Sequence, residues 1–296
     1  MIENETFTII KSLFPHLEIN KVQINNHGWD NDILIVNDEI VFRFPKTEQL
    51  LTNVLDEIHI LDLLAMKAPI IKIPKYEPVF NDLKLIGVTY TFLKGRSLNE
   101  YADCNLIDNP QNAKLIGDFL TKLHSIDRLA LKETNLKTKH TLNYWERLYT
   151  SMKSDVFPFL NGYQQNEINE VFIPFINNYS NISYNKTLIH GDLTASNIIY
   201  NQTRNQIEGI IDFTDAQFGD PAFDFAGLYW SFGSDFTKEV LSMYQHSECV
   251  ESIFHRVSSF YGLQPVFHEL LYAVKNKQKI NWETALDKFS QLKSMK

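Results

Sequence analysis

Thr187-Leu188-Ile189-His190-Gly191-Asp192-Leu193-Thr194-Ala195-Ser196-Asn197, followed by Gly209-Ile210-Ile211-Asp212-Phe213, is the stretch on which the reading of this chain turns. One apolar run ends at His190-Gly191-Asp192, an Asn stands five residues after the Asp, and a second apolar run ends at Asp212. Short apolar runs bounded by turn residues read as strands. Two strands would then deliver two carboxylates and one amide to neighbouring loop mouths. Asp and Asn also favour turns in their own right, so a plain strand-turn-strand hairpin is the alternative.

That set of groups suits phosphoryl transfer, in which catalysis is mostly positioning and neutralisation of charge by metal ions. Asp192 can take the proton of an attacking hydroxyl, and Asn197 and Asp212 are hard oxygen ligands of the kind Mg²⁺ accepts. The Asp-to-Asn spacing matches the catalytic loop of protein kinases, with His190-Gly191-Asp192 in place of their His-Arg-Asp. Asp212-Phe213 stands where their metal-binding Asp-Phe pair would.

With Gly219-Asp220-Pro221-Ala222-Phe223-Asp224 further on, these motifs resemble the aminoglycoside and macrolide phosphotransferases, antibiotic kinases with the protein-kinase-like fold. The resemblance implies an α+β, bilobal protein. Residues 1–94 would form a small β-rich nucleotide-binding lobe with one long helix, and residues 95–296 a larger, mainly helical lobe for catalysis and substrate. It implies Asp192 as catalytic residue, Asn197 and Asp212 on Mg²⁺, GTP or ATP as donor, and His190, Asp220 and Asp224 as supports of the catalytic loop.

Composition fits a soluble globular protein. The chain has 296 residues, 44% hydrophobic and 22% charged, enough for two lobes and a sizeable core. No run approaches the length of a membrane span, and the first residues, Met1-Ile2-Glu3-Asn4-Glu5, are not those of a secretory signal. Cys104 and Cys249 are far apart and lack metal-ligand partners nearby in sequence, which points to a reduced, cytoplasmic setting. The net charge of −8 argues against a nucleic-acid partner. Residues 1–94 hold 13 acids against 9 bases and the remainder 23 against 19, so neither half is specially acidic. The expected associations are a nucleotide and a small-molecule acceptor, with a monomeric protein and no membrane.

Upstream, residues 6–14 read as a short amphipathic helix ended by Pro15. Val22-Gln23-Ile24, Ile33 to Val36 and Ile40 to Phe44 read as strands, the last two joined as a hairpin by Asn37-Asp38. The loop between the first two, with Gly28, Asp30 and Asn31, would cover nucleotide phosphates, although its single glycine falls short of Gly-x-Gly-x-x-Gly. Arg43 stands where kinases carry the phosphate-gripping lysine. Its guanidinium could hold phosphate oxygens bidentately, with Lys46 as the competing candidate.

Residues 48–66 have helical periodicity, with Leu51, Val54, Leu55, Ile58, Leu61 and Leu64 or Ala65 on one side. By resemblance Glu57, beside that stripe, pairs with the strand cation. Tyr76 to Phe80 and Ile86 to Leu93 read as strands, and Lys94-Gly95-Arg96 as the hinge. Backbone groups of Thr91, Phe92 and Leu93 would meet the purine edge. Tyr90 falls at the gatekeeper position, where a bulky residue resembles members that prefer GTP, or else it is core packing.

Ala113 to His124 reads as a helix, with His124 structural, and two aromatic-rich helices occupy 141–180. Asp220-Pro221 signals a helix start, and further helices are expected at about 236–246, 249–260, 263–275 and 282–294. Aminoglycoside kinases follow the Asp224 helix with carboxylates. Here Tyr229, Trp230 and Phe232 line that region, with Asp215, Asp235 and Glu239 left for a cation. Aromatics there suit a large apolar acceptor bearing an amine, as in macrolides, or they are simply core. An antibiotic kinase, a metabolic kinase for choline or a sugar-like alcohol, and a non-catalytic nucleotide binder remain the alternatives.

Overall fold

A computed structural model describes residues 2–25, 30–101, 106 and 109–295. Five antiparallel strands near the N-terminus, β1 (Val22–Asn25), β2 (Asn31–Val36), β3 (Ile40–Pro45), β4 (Glu77–Asn81) and β5 (Lys84–Thr91), pair in the order β1-β2-β3-β5-β4. Both tight hairpins turn on two consecutive residues of positive φ, Asn37 and Asp38 (56° and 53°) and Asp82 and Leu83 (47° and 66°). Such turns match the right-handed twist of the strands they join. Asn37 Oδ1 also accepts from the backbone N–H groups of Asn20 and Lys21 at 2.9 and 3.0 Å, tying the turn to the chain before β1.

Two helices flank this sheet in sequence, α1 (Ile2–Leu13) and α2 (Glu48–Met66). Ile10 of α1 joins Leu34, Val36, Phe42 and Val79 in a small core of its own. Thr47 caps α2, its hydroxyl accepting from Leu50 N at 3.2 Å. The buried face of α2 is Val54, Glu57, Ile60, Leu61 and Leu64, whereas Leu55 is 57% exposed. The expected stripe is thus rotated: an apolar tally includes Leu55 and omits Glu57, but the buried carboxylate belongs to the face and sets its direction.

The rest of the chain is mainly helical: α3 (Gln111–His124), α4 (Leu142–Ser151), α5 (Gly162–Asn178), α6 (Ala226–Met243), α7 (Val250–Arg256), α8 (Pro265–Lys275) and α9 (Asp287–Ser294). Among the described residues, no helix is long and apolar enough to cross a membrane. Three differences from the sequence expectation have local causes. The helix start expected at Asp220-Pro221 is a short 3-10 turn, Pro221–Phe225, and α6 runs from Ala226 into the helix expected separately at 236–246, with Gly233 (φ 79°, ψ −170°) as a kink between the two parts. The backbone after α7 widens into π turns at Val257–Tyr261. The last helix is confined to Asp287–Ser294.

Two small sheets sit among these helices: β7 (Thr187–Ile189) with β10 (Gln217–Gly219), and β6 (Arg96–Ser97) with β8 (Ile198–Asn201) and β9 (Gln206–Ile210). Arg96 and Ser97 pair with Tyr200 and Ile199, so the connection after β5 is strapped to β8. Gly95 crosses it at φ 143°, where a Cβ would lie 2.5 Å from Tyr200 O. These sheets carry the loops of interest on a large core. Phe119 of α3, fully buried, presents its ring to those of His190 and Phe213 at 6.4 and 6.2 Å.

Phe119→Ala removes this floor. The expected loss is about 3–5 kcal/mol of folding stability, read as a lowered urea midpoint at unchanged m-value.

Candidate active site

Strand β7 ends at Ile189, and the next two peptide N–H groups are captured by one carboxylate. His190 N donates to Asp224 Oδ2 at 2.7 Å and Gly191 N to Asp224 Oδ1 at 2.9 Å. His124 Nε2 lies 3.0 Å from Asp224 Oδ2, and Tyr244 Oη 2.7 Å from His124 Nδ1. Burial works to raise the Asp224 carboxyl, but the His124 and Gly191 hydrogen bonds, with nearby histidine charge, hold it below its usual range. Asp220 caps the turn Pro221–Phe225, accepting from Ala222 N, and is gripped by Arg256 at 2.7 and 2.9 Å. Asp224 thus holds the backbone at His190 and Gly191, while Asp220 fastens the turn that carries Asp224.

The His190 ring is fully buried, and burial drives its pKa down. Asp192 N approaches Nδ1 at 3.3 Å, so the ring proton sits on Nε2, which donates to Ile211 O at 3.1 Å. Gly191 adopts φ 81°, and a Cβ there would lie 2.2 Å from Asp215 O. Glycine is therefore required twice over, for conformation and for space.

Asn197 Nδ2 donates to both Asp192 O and Asp192 Oδ2, each at 2.8 Å. Ile211 N donates to Asn197 O at 3.0 Å and so joins the two loops. Burial raises the Asp192 carboxyl to about 7, with Asp215 and Asp212 adding to the effect and Asn197 opposing it. Asp212 follows β9 at φ 65°, a conformation costly for most L-residues. Its Oδ1 accepts from Thr214 N and Oγ1 at 3.3 and 2.5 Å. Asp192, Asn197 and Asp212 are thus brought together in one hydrogen-bonded frame.

Arg43 on β3 is 3% exposed. Its NH1 donates to Glu57 Oε2 at 2.6 Å and Tyr76 Oη at 2.8 Å; its NH2 donates to Glu57 Oε1 at 3.2 Å and Thr214 Oγ1 at 2.6 Å. Arg43 and Glu57 therefore meet, as the family resemblance implies. However, the bidentate grip on phosphate expected of Arg43 needs terminal N–H groups that here point to protein partners. The competing Lys46 lies 3.6 Å from Asp32.

Gly28 falls outside the described residues. Asp30 is raised by burial and by the charges of Asp215 and Asp212, with Arg43 and Lys139 opposing. Asn31 is buried, and among the described residues its Oδ1 has no partner. Tyr90 packs its ring 5.1 Å from that of Tyr76. At the expected purine edge, Phe92 N donates to Glu39 O at 2.7 Å. That N–H is engaged, which leaves the neighbouring groups of Thr91 and Leu93.

On the acceptor side the sequence reading needs correction. Tyr229 is fully buried and its hydroxyl donates to Leu292 O at 3.1 Å, so it is a core residue rather than a substrate wall. Trp230 is half-buried with Lys288 Nζ 4.5 Å over its ring, and Phe232 packs on Phe236 at 5.5 Å. Asp235 is exposed. Asp215, offered for a ligand cation, pairs with Lys139 at 2.7 Å. Lys139, Thr214 and Tyr76 all stand in the site yet carry no motif. A lone lysine in a loop, or a tyrosine before a strand, has no sequence signal to distinguish it.

Among the described residues, no three His, Cys, Asp or Glu side chains cluster as a metal cage. Magnesium does not need one, because it is held by one or two carboxylates with water and phosphate. Asn197, with its amide hydrogens directed at Asp192, keeps its oxygen for a ligand, and Asp212 has a second carboxylate oxygen beyond the one Thr214 holds. That donor set fits a hard divalent cation.

Residues 21–260 match the phosphotransferase enzyme family, APH. The chain belongs to that family and is an enzyme of the phosphotransferase class with the kinase-like α+β fold. The wild-type aminoglycoside 2'-phosphotransferase-IIIa in complex with GDP superposes with TM-score 0.80 at 23% identity, over 99% of this chain and 98% of that one. The streptomycin–ATP ternary complex of APH(2'')-IIa gives 0.62 at 21%, over 96% and 95%. The macrolide 2'-phosphotransferase MphH from Brachybacterium faecium, as apoenzyme, gives 0.65 at 17%, over 95% and 97%.

Two outcomes test this geometry. Gly191→Ala forces a Cβ against Asp215 O, and the expected loss is about 1–3 kcal/mol or more, measured by chemical denaturation. The second concerns His140, whose N–H is held by Gln217 Oε1 at 3.2 Å and whose ring lies 4.0 Å from Phe223. Burial pushes its pKa from 6.5 down to about 4. The folded value lies below the unfolded one, so the contribution is complete above pH 6.5 and declines as the pH falls towards 4. Comparing unfolding at pH 7 and 4.5, His140→Phe should recover up to about 3 kcal/mol of the acid loss.

Proposed function

We propose that this enzyme transfers the γ-phosphoryl group of GTP or ATP to a hydroxyl of a small molecule, in a magnesium-dependent reaction, and that the acceptor is an aminoglycoside or macrolide antibiotic. The observation that carries the reading is the common frame of Asp192, Asn197 and Asp212, closed by the Asn197–Asp192 and Ile211–Asn197 hydrogen bonds. In this reading residues 1–94 hold the nucleotide and residues 95–296 supply the catalytic loop and the acceptor cleft.

Asp192 accepts the hydrogen of the acceptor hydroxyl and orients its oxygen towards the phosphorus. Its raised pKa keeps it basic enough to take that proton as the new bond forms. Asn197 fixes the Asp192 rotamer while offering its own oxygen, with Asp212, to Mg²⁺. Bound there, the cation would neutralise charge developing on the phosphate oxygens. The kinship with aminoglycoside and macrolide kinases supports the acceptor class. Pairing of Asp215 with Lys139 leaves a cationic acceptor one less free carboxylate.

A nucleotide-consumption screen against aminoglycosides, macrolides and choline, run separately with ATP and GTP, tests the proposal. Turnover with an antibiotic, lost in EDTA and restored by Mg²⁺, is the expected result. Asp192→Ala should lower kcat by about 10²–10⁴-fold while nucleotide still binds. Undiminished turnover in that variant, or turnover with choline alone, would overturn the reading.

A further inference from the structure

We propose that Thr214 is a positioning residue for the Asp212 carboxylate, and that Arg43 acts through it as the far end of a bracket running from β3 to the metal-binding loop. The proposal rests on the assignment of Asp212 as a metal ligand made above.

A threonine hydroxyl has one hydrogen to give and lone pairs to receive. Thr214 Oγ1 receives from Arg43 NH2 at 2.6 Å and donates to Asp212 Oδ1 at 2.5 Å. Arg43 can only donate and an ionised Asp212 can only accept, so the direction of both bonds is fixed. Arg43 NH2 itself lies 3.7 Å from Asp212 Oδ1, beyond hydrogen-bond reach. The hydroxyl is therefore the hydrogen-bonded link between them, alongside that longer direct ion pair.

Each end of the bracket is anchored. Glu57 and Tyr76 engage the other terminal hydrogens of Arg43 within the protein interior. At the far end, Asp212 sits at φ 65°, a conformation that tertiary contacts must maintain. Thr214 N reinforces the hold at 3.3 Å. With Oδ1 held, the other oxygen is directed by the same bracket towards a cation.

The arrangement also gives a physical reason for arginine on β3. A planar guanidinium can reach two carboxylate oxygens, a phenol and a hydroxyl at once, whereas an ammonium is a single nitrogen with three hydrogens on a flexible stem. Arg43 and Thr214 thus form a matched pair. A lysine substitution should impair this enzyme, although kinases use lysine at the corresponding place.

The test is Mn²⁺ binding, read by electron paramagnetic resonance in the presence of ADP or GDP, with melting curves in EDTA to report folding without metal. Thr214→Val keeps shape and loses the hydroxyl. Its Mn²⁺ affinity should fall about 10-fold or more, while Thr214→Ser stays within about threefold of wild type. Arg43→Lys should show the same loss as Thr214→Val. Because both substitutions break one chain, the double variant should be no weaker than the weaker single. If Thr214→Val does not fold, Thr214→Ala and Arg43→Lys carry the comparison. Wild-type Mn²⁺ affinity in folded Thr214→Val, or multiplied losses in the double variant, would overturn the bracket. A wild-type protein that binds Mn²⁺ and nucleotide but phosphorylates no acceptor would overturn the functional reading alone.

Discussion

Asp224 is a charge taken out of water, and that fact organises the loop that carries Asp192. A buried carboxylate is tolerable only when its oxygens are satisfied, and here the donors come from separate parts of the chain. His190 and Gly191 offer consecutive peptide N–H groups, and His124 reaches it from the end of α3. Bonds of this kind to an ionised acceptor are short and strong. They fix the backbone two residues before Asp192, so the orientation of the proposed base is set by the core. Arg256 on Asp220 fastens the start of the same turn.

A second constraint joins the two carboxylate loops. The Ile211–Asn197 backbone bond and the His190–Ile211 bond cross between them, and Phe213 packs 4.7 Å from His190. The loops cannot move independently without breaking these contacts. From the other side, the buried Arg43–Glu57 pair leans on Thr214. An ion pair so deeply buried adds little net stability on its own, since desolvation opposes attraction. Its evident consequence is geometric: the sheet, α2 and the Asp212 loop are referenced to a single guanidinium.

The motif-bearing loops were legible because they break local rules in a compact stretch: carboxylates at the mouths of apolar strands, a glycine between them, a cap followed by proline. The hairpins were legible too, as Asn37-Asp38 shows. What failed was any judgement that depended on a third dimension. Tyr229 and Trp230 are neighbours of similar character, yet one is sealed in the core and the other lies against Lys288. Leu55 and Ile60 exchange places because the face of α2 is fixed by Glu57, whose burial is explained only by Arg43, 14 positions away in the chain. The Gly233 kink, in open space, has no apolar period to announce it. Thr214 was invisible for a related reason: its partners come from β3 and its own loop, and a threonine after Asp-Phe looks like ordinary punctuation.

The charge distribution supplies a further argument about what the site accepts. Asp30 and Asp192 are both shifted upward, and in each case Asp215 and Asp212 contribute after burial. Asp212 and Asp215 therefore bear electrostatically on both groups in the space around the two loops. Among the described residues, the cations identified beside them are already balanced, Arg43 by Glu57 and Lys139 by Asp215. A bare nucleotide triphosphate entering that space would meet like charge at short range, where incomplete screening makes repulsion severe. A divalent cation accompanying the nucleotide would lower that repulsion and present a positive centre to the carboxylates. In the proposed reaction the acidity of the site, unhelpful to a phosphate by itself, would favour a metal–nucleotide complex, and the placement of Asp212 would then bear on binding as much as on chemistry.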